Sequence, residues 1–225
     1  IGFDREPSKM IVTEYLNNGS LEQILNHEKK GVAFHGWNDT MKLITIYGVA
    51  SAMKYLHSLN ILHRDIRPAN ILLDDFLHPK LIDFNLSEFL NKIGDNENMV
   101  GTQYYMAPEI FRNHQYSKKS DVYAFAMLVY EIVSGDIPFK DRSLAQIMYL
   151  IAIKKERPKI SNEIPEAYKK LIKSCWRDDP NERPSFDEIV DNLERNHEFI
   201  TDKTDEKLYR SYIEIIHESE HGIDT

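Results

Sequence analysis

One stretch of this sequence limits the fold more than any other. After Ser120 it reads Asp121-Val122-Tyr123-Ala124-Phe125-Ala126-Met127-Leu128-Val129-Tyr130-Glu131-Ile132-Val133. Apolar side chains fall on almost every face of a helix drawn through it. Such a helix belongs at the centre of a core, not on its surface. The stretch is shorter than the ~18–20 residues that cross a bilayer. Other elements of the chain therefore have to surround it.

The composition can supply them. Of 225 residues, 42% are hydrophobic and 11% aromatic, which excludes wholesale disorder. The formal net charge is −8. No block of Lys and Arg could neutralise nucleic-acid phosphates, so no nucleic-acid partner is expected. The charge is uneven: residues 187–225 hold 12 acidic and 4 basic side chains and so carry the whole −8. The body is balanced, and the acidic C-terminal segment reads as a solvated helix and tail. The single cysteine, Cys175, excludes an intramolecular disulfide framework and fits a reducing, cytoplasmic setting. No apolar run is long enough for a membrane segment, and no basic-then-apolar leader opens the sequence. The first residue is Ile1, not Met, as in a fragment or processed product.

Met10-Ile11-Val12-Thr13 is apolar and β-branched and predicts a strand, ended by the turn cluster Asn17-Asn18-Gly19-Ser20. Ser20 can cap a helix carrying Leu21, Ile24 and Leu25. Leu43, Ile46, Tyr47, Ala50, Met53 and Leu56 recur at helical spacing and predict a longer helix from Asn38 to Ser58. Ile71-Leu72-Leu73 and Lys80-Leu81-Ile82, with Asp74-Asp75 between them, read as a hairpin. Asp83 to Pro108 is polar and irregular, which suggests a long functional loop. Further helices fit 143–153, 165–176 and 185–197. No internal repeat is visible. Trp176 and Cys175 fall on an apolar helix face and read as core. No His/Cys spacing suggests zinc. A helix near 204–217, with Leu208, Tyr209, Tyr212 and Ile215-Ile216, either packs on the body or leads to further domains.

His63-Arg64-Asp65-Ile66-Arg67-Pro68-Ala69-Asn70 lies between the long helix and the hairpin. Asp83-Phe84-Asn85 follows the hairpin's second strand, and Ala107-Pro108-Glu109 closes the polar loop. Each motif alone is a weak signal, but their order and setting are specific. From Met10 to about Leu193 the chain resembles the C-terminal lobe of a eukaryotic protein kinase. The resemblance implies an α+β protein-kinase-like fold: a mainly helical lobe, a small β-hairpin and only the hinge strand of the small lobe. It implies a kinase domain over 1–197 and an acidic tail over 198–225. It also implies ATP and Mg²⁺ as cofactors and a protein substrate; the oligomeric state stays open.

The resemblance assigns roles residue by residue. Asp65 matches the catalytic base, Asn70 a metal ligand and Asp83 the main Mg²⁺ carboxylate. Arg67 stands where serine/threonine kinases usually carry a Lys that meets the transferred phosphate; Arg keeps the charge and changes the geometry. Glu14 and Leu16 match backbone groups that read adenine, with Thr13 at the gatekeeper position. Ser20 lies near the ribose, and Leu72 forms the floor under the purine. Asp121 matches the residue that holds the catalytic loop from below. Glu109 and Arg183 match a structural ion pair. His63 and Phe84 match the lower members of an apolar stack. Thr102 resembles the Thr whose hydroxyl links catalytic Asp to basic residue in serine/threonine kinases, although Arg67 with Ala69 leans toward tyrosine kinases. The mixture resembles the tyrosine-kinase-like group, whose members are mostly serine/threonine-specific.

Several features depart from the pattern. Asn85 replaces a Gly, and Asn is among the residues that best tolerate φ > 0. Ala126 stands where Gly is common. The stretch from Glu88 to Gly101 holds no Ser, Thr or Tyr. Glu97 or Asp95 is therefore expected to pair with Arg64 as a built-in substitute for a phosphate. The 225 residues contain no Gly-rich phosphate loop, no Lys-bearing strand and no helix Glu to pair with that Lys. The expectation is a kinase domain lacking most of its small lobe and close to inactive as this chain. The alternative is a non-catalytic kinase-like lobe that binds partners.

Overall fold

The computed structural model describes residues 2–4, 10–93 and 99–223. The architecture is α+β, with a mostly helical body and three short antiparallel ladders among the described residues. Strands β1 (Gly2–Asp4) and β2 (Met10–Val12) pair with Gly2 opposite Val12. The residue pattern singles out β2 alone; β1 is an added strand.

Ser20 starts helix α1 (Leu21–Lys29) with a capping box: its hydroxyl accepts from Gln23 N–H, and the Gln23 side chain accepts from Ser20 N–H. Asn38 caps helix α2 (Asp39–Ser58), whose side chains are buried along most of its length. Strand β3 (Ile61–Leu62) follows, and then the hairpin β4 (Ile71–Leu73) and β5 (Pro79–Leu81), with Ile71 opposite Leu81. The Asp74 carboxylate closes the hairpin turn by accepting from Phe76 and His78 N–H, both at 2.9 Å. Strand β6 (Glu88–Phe89) pairs back with β3, so the polar segment after β5 is partly ordered by a ladder. Pro108 opens a short helix, α3 (Pro108–Asn113).

Helix α4 (Lys118–Ser134) is the apolar stretch, buried from Ser120 to Ile132. Ser117 caps it, in a box with Ser120. Around it lie α5 (Leu144–Met148), which continues as a π-helical turn over Tyr149–Ile153, then α6 (Glu166–Cys175) and α7 (Phe186–Arg195). Cys175 and Trp176 are core residues, and burial pushes the Cys175 thiol up to about 12.

The C-terminal helix α8 (Glu206–Ile223) packs on the body through Tyr209, Tyr212 and Ile213. The Tyr209 and Tyr212 rings meet Tyr47 of α2 edge-on, with centroids 5.8 and 6.1 Å apart. Gly48 makes the seat possible, because a Cβ there would run into the Tyr212 hydroxyl and Pro79. Glu194 ties the seam, accepting from Tyr47 Oη at 2.7 Å and lying 2.9 Å from His217 Nε2. Among the described residues, no helix is long and apolar enough to cross a membrane.

Candidate active site

The segment from His63 to Asn70 joins β3 to β4 and is held from beneath. Asp121, in the first turn of α4, is 1% exposed. It accepts from the backbone N–H groups of His63 and Arg64, both at 3.0 Å, and lies 2.9 Å from His57 Nε2. Arg64 has φ 65°. That conformation costs a non-glycine residue about 1–2 kcal/mol, and the two bonds to Asp121 keep it in place.

Asp65 sits above this anchor. Its Oδ1 accepts from the Thr102 backbone N–H at 2.9 Å and from the Thr102 hydroxyl at 2.7 Å. Its Oδ2 accepts from Asn70 Nδ2 at 2.8 Å, and the same amide donates to the Asp65 carbonyl at 2.8 Å. A carboxylate offers about four acceptor positions, so Oδ2 keeps capacity for one more proton donor. The Arg67 guanidinium donates to the Thr102 hydroxyl at 3.0 Å. Gly101 permits this approach: its φ is 105°, and a Cβ there would lie 2.5 Å from the Arg64 carbonyl oxygen.

The Asp83 loop is built differently. Asp83 is exposed, has φ 65° and starts the turn Phe84–Leu86. Its Oδ1 accepts from the Asn85 side-chain amide at 2.7 Å and from the Asn85 N–H at 3.4 Å. The expectation that Asn85 fills a left-handed position is therefore corrected. The positive φ belongs to Asp83, and Asn85 instead holds the neighbouring carboxylate. The Phe84 ring lies 5.3 Å from that of His63, which is fully buried, while Phe84 is 49% exposed.

The hinge residues follow β2. Glu14 is exposed and Leu16 half-buried, and no hydrogen bond among the described residues uses the backbone of either. Ser20 caps α1 and bridges directly to Leu72 on β4, and Leu73 N–H donates to the Gly19 carbonyl at 3.1 Å. These contacts fix the hinge end and α1 against the hairpin.

Three further acids shape the surroundings. Glu109 and Arg183 form a buried two-pronged pair, at 2.6 and 2.8 Å. Such a pair fixes geometry more than it stabilises. Glu131 of α4 accepts from Tyr105 Oη at 2.6 Å. Burial pushes the Glu131 carboxyl above its ordinary range, against the Tyr105 hydrogen bond that lowers it. Glu22 of α1 lies 3.0 Å from Arg67; as a polar helix residue far away in sequence, it carries no pattern that marks it. Arg64 donates through Nε to the Leu86 carbonyl and stacks over Tyr116 at 5.5 Å. Asp95 and Glu97, its expected partners, lie outside the described residues.

The donor set suits Mg²⁺. Asp83 offers a carboxylate, and Asn70, which donates through its nitrogen, keeps its amide oxygen for a cation. Among the described residues there is no cluster of three or more His, Cys, Asp or Glu able to hold a metal. Mg²⁺ usually takes one or two protein oxygens and completes its shell with phosphates and water, so none is needed.

The sequence matches the protein kinase domain family over residues 2–193. It is 37% identical over 196 residues to a probable LIM domain-containing serine/threonine-protein kinase of Dictyostelium discoideum, covering 87% of this chain and 29% of that protein. It is 37% identical over 183 residues to the RGS domain-containing serine/threonine-protein kinase A of the same organism, covering 81% of this chain and 16% of that protein. A serine/threonine/tyrosine-protein kinase of Arabidopsis thaliana is 32% identical over 196 residues, covering 87% of this chain and 49% of that protein. The chain thus spans less than half the length of each of these relatives. With its match to the family running almost end to end, this chain belongs to the protein kinase family.

Proposed function

We propose that this chain is the catalytic body of a serine/threonine protein kinase of the tyrosine-kinase-like group. The observation that carries the reading is the Asp65 carboxylate, fixed by Thr102 and Asn70 with one acceptor position left. In this reading Asp65 accepts the proton of a substrate hydroxyl as that oxygen attacks. Thr102 and Asn70 orient it, and Arg67 meets the phosphate being transferred. Asp83 and Asn70 would hold Mg²⁺, which when bound would neutralise charge on the phosphates. The backbone groups of Glu14 and Leu16 read the adenine edge, Leu72 lies beneath the base, and Ser20 stands near the ribose. The Thr102 link between Asp65 and Arg67, together with the names of the relatives, favours serine and threonine as acceptors.

Positioning and charge stabilisation supply nearly all of the catalysis in this reaction. The 225 residues hold no Gly-rich phosphate loop and no Lys-bearing strand, so the chain assayed alone is expected to turn over little. The test is transfer of labelled phosphate from ATP and Mg²⁺ to a mixed protein substrate by the full-length protein, followed by phosphoamino-acid analysis. Label should appear on serine and threonine and fall at least about a hundredfold in Asp65→Asn. Label on tyrosine alone, or equal transfer by the variant, contradicts the reading. No transfer by the unaltered protein favours the partner-binding alternative.

A further inference from the structure

The Arg67 guanidinium uses its donors unevenly. One terminal nitrogen donates to the Thr102 hydroxyl at 3.0 Å, the other to Glu22 Oε1 at 3.0 Å, and the Nε–H is buried without a partner. We propose that Glu22 is a positioning residue for phosphoryl transfer, a built-in counterion that holds Arg67 until a phosphate displaces it. The inference rests on the kinase reading of Arg67 and adds a residue and a role to it.

The placement is set by backbone. Glu22 sits in the first turn of α1, whose start is fixed by the Ser20 capping box. Ser20 in turn bridges to Leu72, immediately after the loop that carries Arg67. Glu22 therefore faces Arg67 across 45 residues of sequence through two anchored elements. Other carboxylates nearby are already engaged: Glu131 is buried under the Tyr105 hydroxyl, and Asp65 takes its donors from Thr102 and Asn70. The Glu22 and Arg67 side chains are 45% and 28% exposed. A pair this open to water is weak enough to exchange partners. A phosphate dianion suits the guanidinium fork better than a single carboxylate oxygen does.

Two consequences follow for the chemistry. With no phosphate present, Glu22 keeps Arg67 charge-balanced beside Asp65 and aligned on Thr102. With phosphate present, Glu22 competes for Arg67, so it limits how tightly the phosphoryl group is held and eases its departure.

The test uses the ¹⁵N-labelled 225-residue chain titrated with inorganic phosphate, read at the Thr102 amide. Glu22→Gln keeps the acceptor oxygen and removes only the charge. It should bind phosphate about three- to fivefold more tightly than the unaltered chain. Its melting midpoint should shift by less than about 2 °C. Arg67→Ala should abolish the response in both backgrounds. Equal or weaker phosphate binding by Glu22→Gln overturns the proposal. So does a response that survives Arg67→Ala, and so does a flat titration of both the unaltered chain and Glu22→Gln. None of these results bears on Asp65-dependent transfer by the full-length protein. A failure here with that transfer intact removes the role of Glu22 and leaves the kinase reading standing.

Discussion

Asp65 and Asp83 flank the same β-hairpin, and the protein supports them in opposite ways. Asp65 takes three hydrogen bonds, from two residues that lie 5 and 37 positions away in sequence. The loop beneath it hangs on Asp121, which comes from the most buried helix of the molecule. Asp83 is exposed, and the hydrogen bonds to its carboxylate come from Asn85, two residues on. One carboxylate is positioned by the folded core, while the other is held by a local turn. A general base gains from a fixed geometry before substrate arrives. In the proposed reading Asp83 would need less support beforehand, because a bound cation would complete its surroundings.

Breaking the deep support should have the largest effect. Asp121→Ala strips the acceptor from two backbone N–H groups and from His57, and should lower stability by about 3 kcal/mol in urea unfolding. Thr102→Val removes the hydroxyl shared by Asp65 and Arg67, which should cost about 1–2 kcal/mol. Thr102→Ser should recover most of that loss. Glu131→Gln tests a buried acid at the edge of the site. The folded carboxyl titrates above its unfolded value of 4.5, so the unaltered protein loses stability as pH rises through and above that value. The variant, which never charges, should gain on it over the same range and match it more closely below pH 4.5. Asp83→Ala and Asn85→Gly should be smallest, each within about 0.5 kcal/mol in the same measurement. A loss at Asp83 as large as that at Asp121 would remove the contrast between the two loops.

Much of this arrangement is legible in the residues, for physical reasons. Helices α2 and α4 show themselves because burial along a helix writes a repeating apolar pattern. Ser20 shows itself because a cap needs a short side chain with an acceptor oxygen at one position. The Asp65 loop is found through family resemblance, which implies the bonds from Thr102 and to Asp121 but not the one from Asn70. Strands β3 and β6 are not legible, because two residues carry no alternation and their pairing spans a long loop. Helix α3 had a usable signal in Pro108 at its first position. The amphipathic stripe of α8 says that the helix needs a partner but not which one; Gly48 and Tyr47 on α2 supply the seat. Asn85 misleads because φ > 0 is a property of the backbone, which can move it to a neighbour. Glu22 is invisible because its role exists only across a distance that folding creates.

The central claim is that the Asp65 site is assembled by the fold alone, while the Asp83 loop is not. Amide hydrogen exchange on the chain without nucleotide or metal tests it most directly. The N–H groups of His63, Arg64 and Thr102, bonded to Asp121 and Asp65, should exchange slowly, and that of Asn85 should exchange fast. Exchange at Thr102 and Arg64 as fast as at Asn85 would contradict the account.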